Sequence, residues 1–391
     1  MAPATAKDEA AMKTWLAGQR EAMLALLETL VNTDGGSYDK AGVDQVAAHL
    51  RKFLEGRGIP CDTVPNDKFG DALRATVANG AVGAGANSTI LLMGHRDTVF
   101  PKGEPTRRPF KIENGIAYGP GVSDMKAGLV MNAFILAAFK ELGGAPAPLV
   151  GLFTSDEEIA SPSSRPVIEN EARRARAVFN SEPGRPGNGI VTGRKGGVFM
   201  RMTVTGKAAH SGANFQEGIS AIEELARKII ALHAITDLDK GTTVNVGLIF
   251  GGQTVNTVAP EAKCEIDLRF VTPADRDAAM SAIRKIVDTA HVKGTSASLE
   301  IAGEFLPLVE SPQGKALYDH YAKVAEEVGI PVKPAFTGGC ADSGFSAGVG
   351  APTICATGPI GGKAHTPEEY LEVDSMVPRA QALALSIMRL S

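Results

Sequence analysis

His95, Asp124, Glu158, Glu182 and His365 are residues of metal-ligating type, and each stands where a fold could aim it at a common point. His95 lies in GHRD, directly after an apolar run. Asp124 lies in YGPGVSDMKAG, a Gly/Pro turn leading into a helical stretch. Glu158 and Glu182 follow two further apolar runs, and His365 lies in the loop GGKAHTPEEY. Imidazole and carboxylate donors suit zinc, and also cobalt or manganese. Two histidines and three carboxylates exceed what one tetrahedral zinc holds. They suit two metals that share a bridging carboxylate, each with room for a water. The ligand charge, about −3 with ionised carboxylates and neutral imidazoles, offsets most of the charge on two divalent cations.

Glu157 precedes Glu158 directly. On a strand end, adjacent side chains point opposite ways. One can then hold a metal while Glu157 faces the water as general base. Asp97, two residues after His95, projects to the same side in extended chain and is placed to accept the far N–H of His95. Singly these signals are weak, since an isolated Glu-Glu pair is usually solvated surface. Their strength is joint occurrence in order. His49, His233, His291 and His320 fall in segments of helical pattern and read as structural or surface residues.

Positioning such groups requires strands that end at one edge of a sheet. Ser88–His95, Ala147–Thr154 and Ala177–Asn180 are continuous apolar runs of the kind found in buried parallel strands. Helical patterns run from about Asp8 to Asn32, Ala41 to Gly56 and Lys126 to Leu142, and a Gly-Ala-rich turn spans Asn79–Asn87. Alternating strands and helices predict an α/β sheet covered on both faces, with functional groups outside the carboxyl ends of the strands. The texture changes near Gly196. Val198–Thr205, Thr242–Phe250, Lys263–Val271 and Ser296–Ile301 read as strands, the first and third alternating apolar with polar. Helices at Ser220–Ala234 and Ala274–His291 separate them into β-α-β-β-α-β, a ferredoxin-like order. The chain then returns to a helix, a Gly-rich loop and an apolar strand, Ala351–Ala356. The expected division is a catalytic domain at 1–195 and 305–391, with a smaller α+β domain at 196–304 inserted into it.

A chain of 391 residues is long for one core, in keeping with that division. Its net charge of −4 offers no basic surface for nucleic acid. No secretory leader or membrane span is expected. Four scattered cysteines without a CxxC pair read as reduced thiols in a cytoplasmic protein. No GxGxxG follows a strand, which argues against a dinucleotide enzyme.

Together GHRDTVF, YGPGVSDMKAG, FTSDEE, NSEP, GKAAHSG and AHTPEEY resemble the successive signatures of the M20 family of metallopeptidases, most closely its carboxypeptidase G2, or glutamate carboxypeptidase, branch. The resemblance runs from about residue 25 to the end. It implies a zinc-exopeptidase-like mixed sheet, and two zinc ions per subunit. One would be held by His95, Glu182 and bridging Asp124, the other by Asp124, Glu158 and His365. It implies Glu157 as base and proton shuttle, Asp97 as the acid that orients His95, and a cis peptide after Asp124. It also implies that the inserted domain pairs with its copy in a homodimer, and that His210 reaches across to the substrate carbonyl. Asn256 and Arg269 match residues that bind the substrate carboxylate. Gly338, Gly339 and Asp342 match the loop beside the pocket. The implied reaction is hydrolysis of a peptide or N-acyl amide beside a free carboxylate, releasing glutamate or a similar amino acid. A deacylase of the acetylornithine or succinyl-diaminopimelate kind, or a dipeptidase, is the alternative. Two departures bear on that choice. IAGEFLPL carries Glu304 where some glutamate-specific relatives have a basic residue, and Arg185 stands where a family lysine has no clear match. A catalytically dead metal-binding scaffold would have no use for Glu157.

Overall fold

The apolar run ending in His95 forms the strand Thr89–His95, and all its residues are buried. A strand buried on both faces needs partners on both edges and helices over both faces. It pairs in parallel with Leu149–Thr154 on one side and Ala175–Asn180 on the other. In the computed structural model, which describes residues 8–78 and 88–390, these strands are the middle of an eight-stranded mixed sheet. Its order is Cys61–Val64, Ala72–Val77, Leu149–Thr154, Thr89–His95, Ala175–Asn180, Thr353–Cys355, Gly189–Arg194 and Lys333–Thr337. The Gly-Ala turn read at 79–87 lies outside the described residues.

One helix sets the depth of the site. Ala127–Glu141 is apolar all round, and every residue from Ala127 to Phe139 is buried, as expected for a helix with no polar stripe. The helix 122–141 contains an 18-residue window of mean hydropathy 1.4, long and apolar enough to cross a bilayer, although no membrane span was expected. Its surface is 94% buried within the protein, as for a core helix. Gly128 lets this helix touch the sheet: a Cβ there would lie 2.0 Å from the carbonyl oxygen of Ser181, the residue before Glu182.

Boundaries differ from the sequence reading where local chemistry intervenes. The N-terminal helix is two helices, Glu9–Ala17 and Arg20–Val31. Gly18, a poor helix former, closes the first by returning its N–H to the carbonyls of Thr14 and Leu16. The helix read as reaching His291 ends at Asp288, so His291 lies beyond it. Its N–H is taken by the Glu224 carboxylate.

The chain divides into two compact units. One comprises Met1–Gly193, Glu310–Phe336 and Ala341–Ser391, and the other Arg194–Val309 and Thr337–Cys340. The second unit holds a four-stranded antiparallel sheet in the order Thr243–Gly251, Glu261–Phe270, Gly196–Thr205, Ser296–Phe305. That is the ferredoxin-like order. Val198, Met200, Met202 and Val204 interleave with Cys264, Ile266, Leu268 and Phe270 to form its core, under the helices Ala221–His233 and Pro273–Asp288. Ser220 caps the first helix, and Thr272 with Asp275 forms a capping box on the second. The four cysteines are free thiols.

Candidate metal centre

His95 is the last residue of its strand, and Asp124 lies in the turn entering the central helix. Glu158 and Glu182 follow the ends of Leu149–Thr154 and Ala175–Asn180, and His365 sits in the loop before Tyr370–Glu372. The carboxyl ends of the three central strands thus bring these groups to one place. His95 Nε2 lies 3.1 Å from Asp124 Oδ1 and 3.8 Å from Glu182 Oε1. His365 Nε2 lies 3.5 Å from Asp124 Oδ2 and 3.0 Å from Glu158 Oε2. Asp124 therefore turns one oxygen toward each histidine.

These separations suit shared cations. A tetrahedral zinc with ligand bonds of about 2.0–2.1 Å spaces its donor atoms roughly 3.4 Å apart. Donor atoms of His95, Asp124 and Glu158 all lie within 4.8 Å of one another, as do those of His95, Glu157 and Glu182. Glu157 is thus among the clustered oxygens, 3.9 Å from His95 Nε2.

The electrostatics make the same point. Burial drives the Glu157 carboxyl far above the usual range, and the charges of Glu182, Glu158 and Asp342 push the same way against His95. Burial pushes Glu158 up to about 7, with Asp124 adding to it. Burial alone would lower His95, but Glu157, Asp124, Asp97 and Glu182 hold it well above its ordinary value. Donating to the carboxylates of Asp124 and Glu158 raises His365 to about 10. Burial opposes ionisation of Asp124, yet the two histidines hold it well below the carboxylate range. In this cluster the imidazolium charges do the work that divalent cations would do, and the donor set fits such ions.

Asp97 holds several of the donors in place. The Asp97 carboxylate accepts the N–H groups of Glu157 and Glu158, each at 3.1 Å, and the hydroxyl of Ser37 at 2.7 Å. His95 Nδ1 lies 3.0 Å from the Asp97 carbonyl and 3.4 Å from its carboxylate. Asp97 thus meets the far side of His95 mainly through its backbone, and spends its side chain on the turn carrying the two glutamates. That turn is a 3-10 turn, Glu157–Ile159, not the strand end anticipated. Accepting two successive N–H groups at one carboxylate curls the chain. Ala160 and Ser161 follow at φ 69° and 52°, and His365 itself has φ 65°. Left-handed non-glycine residues cost about 1–3 kcal/mol each and cluster at functional sites. The Ser161 hydroxyl donates to Asp342, which also accepts from Thr154 Oγ1 at 3.2 Å. Burial lifts Asp342 to about 7.

Glu369 does for Asp124 what Asp97 does for the glutamates. Its buried carboxylate accepts the N–H groups of Gly121, Ser123 and Asp124 at 3.0, 2.8 and 2.9 Å. Burial and the Asp124 charge raise it to about 7. Met125 packs its sulfur 3.3 Å from the His95 N–H, and the Asp124–Met125 peptide is cis. HTPEEY offers two adjacent glutamates, and nothing local says that the second turns inward. Ser37 and Met125 carry no spacing signal at all. Beside Glu158 lies a cavity of about 440 Å³ walled by Tyr38, Val99, Phe100 and Ile159 among others.

His210, Asn256, Arg269 and Gly339 belong to the second unit. His210 is exposed, and its Nδ1 accepts the N–H groups of Gly212 at 3.1 Å and Ala213 at 3.2 Å. Two donors at Nδ1 leave the ring proton on Nε2. The Asn256 carbonyl accepts the N–H of Ser211, next to His210, and the Asn256 side chain is exposed. Arg269 is half-buried beside Asp267 and Cys340, and the Gly339 carbonyl accepts from Arg194 at 3.1 Å. Glu304 is paired with Arg276.

A mixed α/β sheet whose strand ends gather two histidines and several buried carboxylates is the frame of a metal-dependent hydrolase. The sequence model of peptidase family M20/M25/M40 matches residues 91–389, and the chain belongs to this family. It is similar to carboxypeptidase G2 of Pseudomonas sp. (strain RS-16), with 28% identity over 95% of this chain and 90% of that protein. It is also similar to succinyl-diaminopimelate desuccinylase of Paracidovorax citrulli (strain AAC00-1), with 27% identity over 94% of this chain and 97% of that protein. Among solved structures, an M20 family metallo-carboxypeptidase from Sulfolobus solfataricus shares the fold. Its TM-score is 0.75, over 94% of this chain and 99% of that one, at 18% identity.

Proposed function

We propose that this M20 metallohydrolase cleaves a peptide or N-acyl amide bond next to a free carboxylate, with Glu157 as its general base. The observation that carries the reading is the convergence of His95, Asp124, Glu158, Glu182 and His365 around Asp124, with Glu157 on the same turn as one of them. We assign two zinc ions, with cobalt or manganese as substitutes. One would be held by His95, Glu182 and Asp124, the other by Asp124, Glu158 and His365. When bound, such ions lower the pKa of a water and polarise the scissile carbonyl. Glu157 takes the proton from that water and returns it to the leaving nitrogen. Its carboxyl, held up by burial, would fall toward a working range beside cations. Asp97 and Glu369 keep the donors aimed through the backbone N–H groups they accept.

The second unit supplies recognition in this reading. Arg269 and Asn256 bind the substrate carboxylate, and Gly339 lines the backbone beside it. His210 of a second copy donates its Nε2 proton to the developing oxyanion. Homodimerisation through this unit is supported by the edge strand Thr243–Gly251, which exposes Leu248, Ile249 and Phe250. His210→Ala should lower kcat by about 10²-fold or more while metal content stays unchanged. Steady-state kinetics beside metal analysis checks this, and an unaltered rate would remove His210 from the reaction.

Deacylation of an N-acetyl or N-succinyl amino acid is the second reading. It is favoured by Glu304, an acid already engaged by Arg276, where a basic residue would serve a second glutamate carboxylate. The zinc-supplemented enzyme should be assayed on N-acetyl, N-succinyl, N-benzoyl and glycyl derivatives of glutamate, aspartate, ornithine and leucine. The leading reading expects glutamate release to dominate. Preference for ornithine or another basic amino acid would replace it with the deacylase reading, and no amide hydrolysis with any metal would overturn both. The apolar wall of Tyr38, Val99, Phe100 and Ile159 supports a sizeable acyl or peptidyl group.

A further inference from the structure

Arg269 is held by a set of neighbours within its own unit. On the strand Glu261–Phe270 it stands directly opposite Gly197. Gly197 leaves a gap: a Cβ there would lie 2.9 Å from Cys340 Sγ and 3.5 Å from Arg269 Cδ. The arginine side chain occupies that gap. Its Nε donates to both carboxylate oxygens of Asp267, at 2.7 and 3.1 Å. Its Nη1 donates to Cys340 Sγ at 2.9 Å. The ring of Phe199, two residues along from Gly197, lies 5.1 Å from Cζ. Cys340 is fixed in turn, since Arg194 Nη1 donates to the carbonyls of Gly339 and Cys340 at 3.1 and 3.0 Å.

A guanidinium carries five N–H bonds in a rigid plane. Nε spends its one on Asp267, and Nη1 spends one on the thiol. The three that remain, one on Nη1 and two on Nη2, lie along the outer end of the fork, and Nη2 has no partner among the described residues. That edge matches the two oxygens of a carboxylate. The neighbour on Nη1 is a weak and neutral acceptor, because burial keeps the Cys340 thiol above its ordinary range even against Arg269. With Asp267 already facing Nε, a carboxylate at position 340 would orient the arginine but place a second negative charge beside it, against a substrate carboxylate.

We propose that Cys340 is a specificity-determining positioning residue: its thiol orients Arg269 without adding a second anion to that of Asp267, and leaves the outer N–H edge of the guanidinium to the substrate carboxylate. This rests on reading Arg269 as the carboxylate anchor, and the test separates the two.

The amino-acid derivative turned over fastest in the panel is compared as its free acid and its α-carboxamide, using wild type, Arg269→Ala, Cys340→Ser, Cys340→Ala and Cys340→Asp, each zinc-loaded and checked by melting curve. Wild type should favour the acid through KM. Cys340→Ser, which keeps a neutral acceptor, should retain that preference. Cys340→Ala should raise KM for the acid by roughly tenfold with much less change in kcat or in the carboxamide. Cys340→Asp should abolish the preference as fully as Arg269→Ala does. If Arg269→Ala leaves the preference intact, the anchor reading falls and this inference with it. If Arg269→Ala removes the preference while Cys340→Ala and Cys340→Asp keep the wild-type ratio, the anchor stands and Cys340 has no such role. Loss of the preference in Cys340→Ser at a wild-type melting temperature would also overturn the proposal.

Discussion

Replacing Glu157 by alanine should leave metal uptake intact and lower kcat by about 10²–10⁴-fold, the usual contribution of a positioned general base. The residue is buried, and its backbone N–H is fixed by Asp97, so truncating the side chain leaves the turn anchored. What disappears is the carboxylate that, as proposed, would take one proton and return it. Glu157→Gln keeps the shape and removes the basicity, so it should be nearly as slow as the alanine variant. Single-turnover assays beside metal analysis make the check. Substantial residual turnover in both variants would move the base elsewhere, and loss of metal would recast Glu157 as a ligand, which its place among the clustered oxygens allows.

Asp124→Asn should be as damaging by a different route. The asparagine keeps the outline but removes the charge, and one of its two terminal atoms becomes a donor. An oxygen now facing His95 or His365 would become an NH₂ group, which cannot hold a cation. Metal affinity should fall by at least about 100-fold and activity with it, since even residues behind the ligands cost 10–100-fold when lost. Chelation of the wild-type enzyme should mimic the variant and be reversed by zinc, whereas the variant should not recover. Proton release gives a second check. A histidine must be neutral to ligate, and the Asp124 and Glu158 carboxylates raise His365 to about 10. Zinc uptake at pH 7 should therefore expel protons, and apparent affinity should rise as pH rises toward that value. Calorimetric titration in buffers of different ionisation enthalpy reads the proton count directly. Uptake without proton release would contradict the role of His365.

Strand ends were the most legible part of this molecule. Thr89–His95, Leu149–Thr154 and Ala175–Asn180 are buried on both faces, and such strands cannot hide their apolar continuity. The ferredoxin-like order was equally readable, because two of its strands, Gly196–Thr205 and Glu261–Phe270, alternate with period two. Four of the five donors were visible as candidates because three follow a strand and Asp124 opens a helix, and His365 stood out only in a loop motif. Their supports were not visible. Glu369, Ser37 and Met125 act through long-range hydrogen bonds to backbone or side chain, three of them at Glu369, which leave no periodicity or spacing behind. The curl of Glu157–Ile159 was missed for the same reason: it depends on a carboxylate sixty residues away accepting two adjacent N–H groups. The setting of Arg269 depends on an empty position opposite it and a thiol from a distant loop, and neither is a pattern within its own strand.

Asp124 turns one oxygen toward His95 and the other toward His365, and in the proposed reading it would help to hold both cations. Zinc stoichiometry of the chelated and reconstituted protein, measured by elemental analysis after dialysis, tests this most directly. Two zinc ions per chain, falling to none or one in Asp124→Asn, is the predicted result. A single ion per chain in the wild type at full activity, or full activity with no ion at all, would contradict it.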